Sequence, residues 1–237
     1  MEHRERAWRL AAAAARGGPV SLEVVCSVAA ARVGAEGYGL TLVCGPGLRE
    51  LACASDEVAV LVEEAQLTVG QGPCADAYAG LEPVLVPDLR AEGERWPGFV
   101  PLVASARARA LLALPVQASG VRLGALDLYW CVPGPPLGEL VGEVAAFAEL
   151  AADLVFRAHP DPSVLAGLSL DEPPYGFPAV VHQASGMLAA RFDLEVAEAR
   201  VRLRAYAYLH GRSVSELARE IVSRRRMPRA PEMTDES

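Results

Sequence analysis

The chain contains no lysine: all 22 of its basic residues are arginine. A GC-rich genome gives the same bias, so composition alone says little about arginine's bidentate chemistry. Catalytic signatures are also missing. There is no G-x-S-x-G, no H-E-x-x-H and no Walker A loop, so no turnover is expected. The five cysteines (Cys26, Cys44, Cys53, Cys74, Cys131) form no C-x-x-C pair, and their odd number suits reduced, mostly buried thiols. The four histidines form no cluster with cysteine at metal-ligand spacing, so no metal is expected. Although 52% of residues are hydrophobic, no run approaches the roughly 18 consecutive apolar residues of a membrane span. Ala11–Ala15 follows Arg4, Arg6 and Arg9, but Glu2 and Glu5 argue against a secretory signal. A cytoplasmic protein with no membrane partner is expected.

Charge is unevenly spread. Residues 1–174 carry a net −10, residues 175–226 a net +4 and the tail a net −2, which together make the overall −8. Counting by segment exposes a basic region that a pI near 5.1 conceals.

That basic region reads as three helices over 179–227. Val181, Ala184, Leu188 and Phe192 mark one apolar face, Asp193–Glu195 interrupts, and a second helix runs from Val196 to His210. Gly211 stops it, and Ser213-Val-Ser-Glu216 spells a capping box for a third helix with Val214, Leu217, Ala218, Ile221 and Val222 inside. Arg200, Arg204 and Tyr208 recur every four residues and so share a face, with Arg212 just beyond the turn. Cations interleaved with an aromatic suit RNA, where guanidinium groups meet phosphates and rings stack on unpaired bases. A solvated helix face has the same spacing.

The order of residues adds to this. Gln183-Ala184-x-Gly186-Met187-Leu188, Ala199-x-x-x-Leu203-Arg204-x-x-Ala207-Tyr208 and Gly211-Arg212-x-Val214-x-Glu216-Leu217-Ala218 resemble the ANTAR domain, the RNA-binding module of transcription antiterminators. Where many members carry a lysine before the first-helix glycine, this chain has Ser185. The resemblance implies RNA hairpins as partner, bound by a homodimer. Arg200, Arg204, Tyr208 and Arg212 are the candidate contacts, with Arg219, Arg224, Arg225 and Arg226 as peripheral phosphate binders. DNA or a protein partner is the alternative, since a tight turn before the last helix also resembles a helix-turn-helix. Glu216 and Glu220 on that helix make it a poor groove reader.

The first 158 residues alternate between helical and strand signals. Glu2–Arg16 and Leu22–Val33 read as helices, the second capped by Ser21. Tyr38–Cys44 and Arg49–Ala54 flank a Gly45-Pro46-Gly47 turn, and Asp56–Leu67 is helical. Pro73 begins a helix containing Cys74–Tyr78, Pro83–Val86 is a strand, and Glu94–Pro97 opens a helix toward Ala108. Ala110–Val116 and Leu123–Trp130 form a hairpin about Ser119-Gly120, and Gly138–Ala158 is a long helix. Helices around an antiparallel sheet give an α+β domain, followed by a small all-α module.

VGQGPCADAYAG, EPVLVPDL, RWPGF and RLGALDLYW within this region resemble a GAF domain over roughly residues 20–157. The resemblance implies a sensor domain with a small-molecule ligand. Cys74 precedes Ala75 rather than the histidine common beside bilin-bearing cysteines, and His3 and His159 lie at the margins, so neither bilin nor haem is expected. Cys74, Asp88, Trp96 and Asp127 are the candidate pocket residues, although Asp88 and Asp127 more often serve as turn or strand-end residues and Trp96 more often as core. A helix N-terminus would lower the pKa of Cys74.

Leu140, Val144, Phe147, Ala151, Leu154 and Ala158 follow heptad spacing. That seam serves a dimer or packs on its own sheet. Prolines mark 159–178 as a linker, and 228–237 as a polar tail expected to be disordered.

Overall fold

The computed structural model describes residues 2–45, 48–118, 121–135, 138, 140–158 and 177–224. The side chains of Cys44 and Arg224 lie outside that description, as do Arg225, Arg226, the tips Pro46-Gly47 and Ser119-Gly120, most of the linker and the tail.

The N-terminal domain runs α1 (Glu2–Ala14), α2 (Leu22–Val33), β1 (Gly37–Gly45), β2 (Leu48–Ala54), α3 (Glu57–Val69) and α4 (Pro73–Gly80). It continues with β3 (Val84–Val86), a 3-10 turn (Leu89–Ala91), α5 (Phe99–Val103), β4 (Ala110–Ala118), β5 (Val121–Trp130) and α6 (Leu140–Ala158). The strands form one antiparallel sheet in the order β2-β1-β5-β4-β3. Period-2 alternation sorts their side chains onto two faces. Ala110, Leu112, Leu114, Val116, Leu126, Leu128 and Trp130 pack with α1, α2 and α6, while Leu111, Ala113 and Tyr129 pack with α3, α4 and α5. Both faces are covered, so the central strands are apolar throughout. Asp127 is a buried charged residue among them, on the α3 side of β5, opposite Gly39 on one neighbouring strand and Ala113 on the other.

The predicted helix from Glu94 to Ala108 is mostly irregular backbone. Trp96 and Phe99 anchor a tight turn edge to face, only Phe99–Val103 is α-helical, and the chain then bends to enter β4. Leu89 and Arg109 meet through a 2.8 Å backbone bond, which fixes that bend.

The heptad seam of α6 resolves in favour of its own domain. Val144, Phe147 and Ala151 are fully buried against α1, α2 and β4, so they are not available to a second copy. Burying Phe147 contributes about 2–3 kcal/mol. Glu143 joins the helices, accepting from Arg32 at 2.9 and 3.0 Å and pairing with Arg6 at 3.1 Å. Those arginines hold its carboxyl below the ordinary range.

The C-terminal bundle comprises α7 (Ala179–Phe192), α8 (Val196–Leu209) and α9 (Val214–Arg224). Asp193, in the left-handed region at φ 55, closes α7, and Gly211 at φ 60 follows α8. Val181, Ala184, Leu188, Ala199, Leu203, Ala207, Val214, Leu217, Ala218 and Ile221 form its core, as the apolar spacing predicts. Phe177, assigned to the linker from sequence, is buried in this core.

Candidate sensor cavity and nucleic-acid interface

Helix α3 is the element both candidate sites share. Asp56 starts it by accepting from the Ala59 amide at 2.9 Å, and Gly70 ends it at φ 67. Glu63 and Gln66 lie three apart and face the sheet; Glu64, Leu67 and Thr68 lie on the face toward the bundle.

On the sheet side, Glu63 accepts from the Thr41 hydroxyl at 2.8 Å. Gln66 donates to Asp127 at 2.7 Å and accepts from the Cys74 amide at 2.8 Å. The groups are buried, and a small cavity of about 40 Å³ lies beside them, lined by Thr41, Arg49, Glu63, Gln66, Cys74 and Pro178. Glycine is required here twice. A Cβ on Gly39 would stand 2.5 Å from Glu63 Oε1, and one on Gly72, at φ 137, would stand 2.5 Å from Gln66 Oε1.

Burial pushes the carboxyl of Glu63 up despite the Thr41 bond. Burial, then the Glu63 charge, pushes Asp127 well up. Cys74 is also pushed well up, by burial and then by Asp127 and Glu63. The lowered thiol pKa predicted from its place near the start of α4 is therefore corrected: two acids and desolvation outweigh the helix terminus.

Of the four predicted pocket residues, Cys74 and Asp127 come together and the other two go elsewhere. Asp88 caps the 3-10 turn through the Arg90 amide and pairs with Arg109 at 2.9 Å, which lowers its pKa. Trp96 is a core residue against Phe99. Sequence reasoning missed Thr41, Arg49, Glu63 and Gln66. The signal for the last two was a glutamate and a glutamine among Ala59, Val62 and Ala65 on the buried side of α3.

On the other side of α3, the bundle is docked. Thr68 Oγ1 accepts from the Val214 amide at 3.2 Å, and the Thr68 carbonyl accepts from Arg204 Nε at 2.8 Å. Glu64 accepts from the Ser213 hydroxyl at 2.7 Å, and Arg219 stands 4.0 Å from it. A carboxylate beside the first turn of α9 also meets the positive end of that helix. Ser213 still accepts from Glu216 N at 3.3 Å, so the hydroxyl predicted for the capping box serves the domain junction as well. Leu48 bridges Phe177 in parallel, with the Arg49 amide donating to the Phe177 carbonyl at 3.1 Å.

The arginine stripe lies at this junction. Arg200 and Arg204 place their guanidinium groups 5.6 and 5.5 Å from the Phe177 ring centre. Arg200 Nε is buried. Arg212 pairs with Glu220 at 2.9 Å. Tyr208 is exposed, beside a groove shared with Val69, Pro97 and Gly98. Tyr206 is half-buried and stacks on His210 at 4.0 Å, rather than fully buried as its helix position predicts. Ser185 is fully buried and donates to the Val181 carbonyl at 2.7 Å, so it serves α7 itself. Among the described residues, no helix is long and apolar enough to cross a membrane.

A five-stranded sheet with a small cavity against α3 is joined through that helix to a three-helix bundle. Residues 20–157 match the GAF domain and residues 178–222 the ANTAR domain. The first match spans more than half the chain, which therefore belongs to the GAF family and carries an ANTAR domain at its C-terminal side. No curated protein matches it. Solved structures similar to it include the GAF domain of an Acinetobacter phosphoenolpyruvate-protein phosphotransferase, 12% identical, covering 67% of this chain and 94% of that one at a TM-score of 0.48. The A. aeolicus nlh2 GAF domain is 13% identical, covering 67% and 98% at 0.48. Free methionine-R-sulfoxide reductase from Neisseria meningitidis, solved with its substrate, is 21% identical, covering 59% and 90% at 0.40. At these identities the likeness carries nothing about ligand or chemistry.

Proposed function

We propose that this chain is a cytoplasmic RNA-binding regulator of the antitermination type, in which the GAF domain sets how freely the ANTAR domain meets hairpins in nascent RNA. The observation that supports it is the double use of α3, with Glu63 and Gln66 at the sensor cavity and Glu64 and Thr68 against the ANTAR helices. A ligand that favours one placement of α3 shifts the population of docked and released bundles by its difference in affinity for the two. Arg200, Arg204, Tyr208 and Arg212 are the proposed RNA contacts, with Arg219 at the periphery. A homodimer belongs to the proposal because paired hairpins offer two sites, and it is built without the buried α6 seam. No turnover is proposed.

The alternative is DNA or a protein on the same bundle, and DNA is opposed by the acids of α9: Glu216 is exposed and Glu220 pairs with Arg212. The test is a binding titration with paired RNA hairpins against duplex DNA of matched length. The proposal expects tighter binding to the hairpins; equal binding, or preference for the duplex, overturns it.

A further inference from the structure

Beside the sensor cavity lies a set of donors that the sequence spacing did not reveal. A carboxylate oxygen of Glu63, one of Asp127 and the Cys74 thiol all lie within 4.8 Å of one another, and all three residues are buried. They come from α3, β5 and α4, so the fold rather than any local motif assembles them. From these groups we infer a binding site for one divalent cation of zinc-like softness. The inference names the ligand class of the sensor cavity and rests on the sensor reading above, but metal binding is measured without RNA, so the two fail separately.

The hydrogen bonds around the cluster resemble the outer support of a metal centre. Thr41 ties one oxygen of Glu63 and Gln66 ties one oxygen of Asp127. The remaining oxygens, Glu63 Oε1 and Asp127 Oδ1, are buried and accept no hydrogen bond from any described residue. Outer partners of this kind fix a ligand's orientation and leave its inner atom for the ion. Two carboxylates and a thiolate suit a borderline-soft ion such as Zn²⁺, which binds oxygen at about 2.0–2.2 Å and sulfur at about 2.3 Å. Ligands at those lengths stand roughly 3.5 Å apart in a tetrahedron, an adjustment of about an ångström or less per side chain.

Charge points the same way. Arg49 is buried beside the cavity with Nε and Nη2 unpartnered among the described residues, and its guanidinium lies 4.2 Å from the Tyr78 ring centre. Three anionic ligands against Arg49 and a divalent ion make a neutral interior, the condition burial demands. Binding the ion displaces the proton of the Cys74 thiol, since the metal takes the thiolate.

The full chain, freed of metal by a chelator, is titrated with Co²⁺ and with Zn²⁺. One equivalent of Co²⁺ should give a near-ultraviolet thiolate-to-cobalt absorption band, lost in Cys74→Ser although four cysteines remain. Zinc calorimetry in buffers of different ionisation enthalpy should report proton release on binding. Asp127→Asn should weaken zinc by more than the roughly 10- to 100-fold typical of an outer partner. Should Cys74→Ser fail to fold, the wild-type chain still decides: zinc should protect Cys74 from alkylation, read by peptide mass. Absence of both the band and the protection, or a band that survives in Cys74→Ser, overturns the site.

Discussion

Glu63 and Glu64 are adjacent in α3, yet their carboxylates serve different domains. Glu63 accepts from Thr41 at 2.8 Å inside the GAF domain, and Glu64 accepts from Ser213 at 2.7 Å at the head of α9. A helix turns about 100° per residue, so neighbouring side chains project to different surfaces of one rigid rod. A small rotation or shift of α3 is therefore felt on both sides at once.

The room made for Glu63 is testable. Gly39→Ala should destabilise the GAF domain by about 1–3 kcal/mol, because the new methyl carbon meets Glu63 Oε1. In combination with Glu63→Ala the cost should shrink, since the clash goes with the carboxylate. Urea unfolding of both singles and the double measures the coupling.

Acid stability should depend on Glu143. Its carboxyl sits below the ordinary 4.5 because Arg32 and Arg6 favour the charged form. A depressed folded-state value gives stability that is present above 4.5 and lost as pH falls through the folded value. Glu143→Gln should cost about 1–3 kcal/mol at neutral pH and flatten the acid limb of the stability profile. Melting temperatures across pH check both.

Two tyrosines of α8 should separate. Tyr208→Ala should leave the melting temperature nearly unchanged and weaken hairpin binding about 5- to 150-fold, the equivalent of about 1–3 kcal/mol of stacking. Tyr206→Ala should instead lower bundle stability by about 1–2 kcal/mol, less than a fully buried ring costs, because Tyr206 is half-exposed and stacked on His210. Thermal melts and RNA titrations on both variants read the difference.

RNA affinity should fall with salt. With Arg200, Arg204, Arg212 and Arg219 each neutralising a phosphate, the log–log slope should be about −3 on single-stranded loops. Titrations at several ionic strengths measure it.

Much of the fold was legible because periodicity reports burial. The bundle core from Val181 to Ile221, the β4–β5 hairpin and the cap at Ser21 follow from spacing and side-chain chemistry. The cavity was half legible: Asp127 stands out in an apolar strand and Cys74 follows a glycine-proline turn, while Arg49 and Thr41 lie in a legible hairpin whose packing against α3 no local pattern specifies. The arginine stripe was found by its spacing, but its docking was not. Spacing shows which residues share a face and is silent on what that face meets, here Phe177 and Thr68.

The docking of the bundle on α3 is tested most directly by the affinity of the full chain for paired RNA hairpins, compared between wild type and the Glu64→Ala, Thr68→Val double variant. The two substitutions remove the bonds to Ser213 and Val214, neither of which is a proposed RNA contact. The account predicts that the variant binds about 5- to 150-fold more tightly, the equivalent of about 1–3 kcal/mol of lost docking. A variant that binds no better than wild type, with both chains folded, would contradict it.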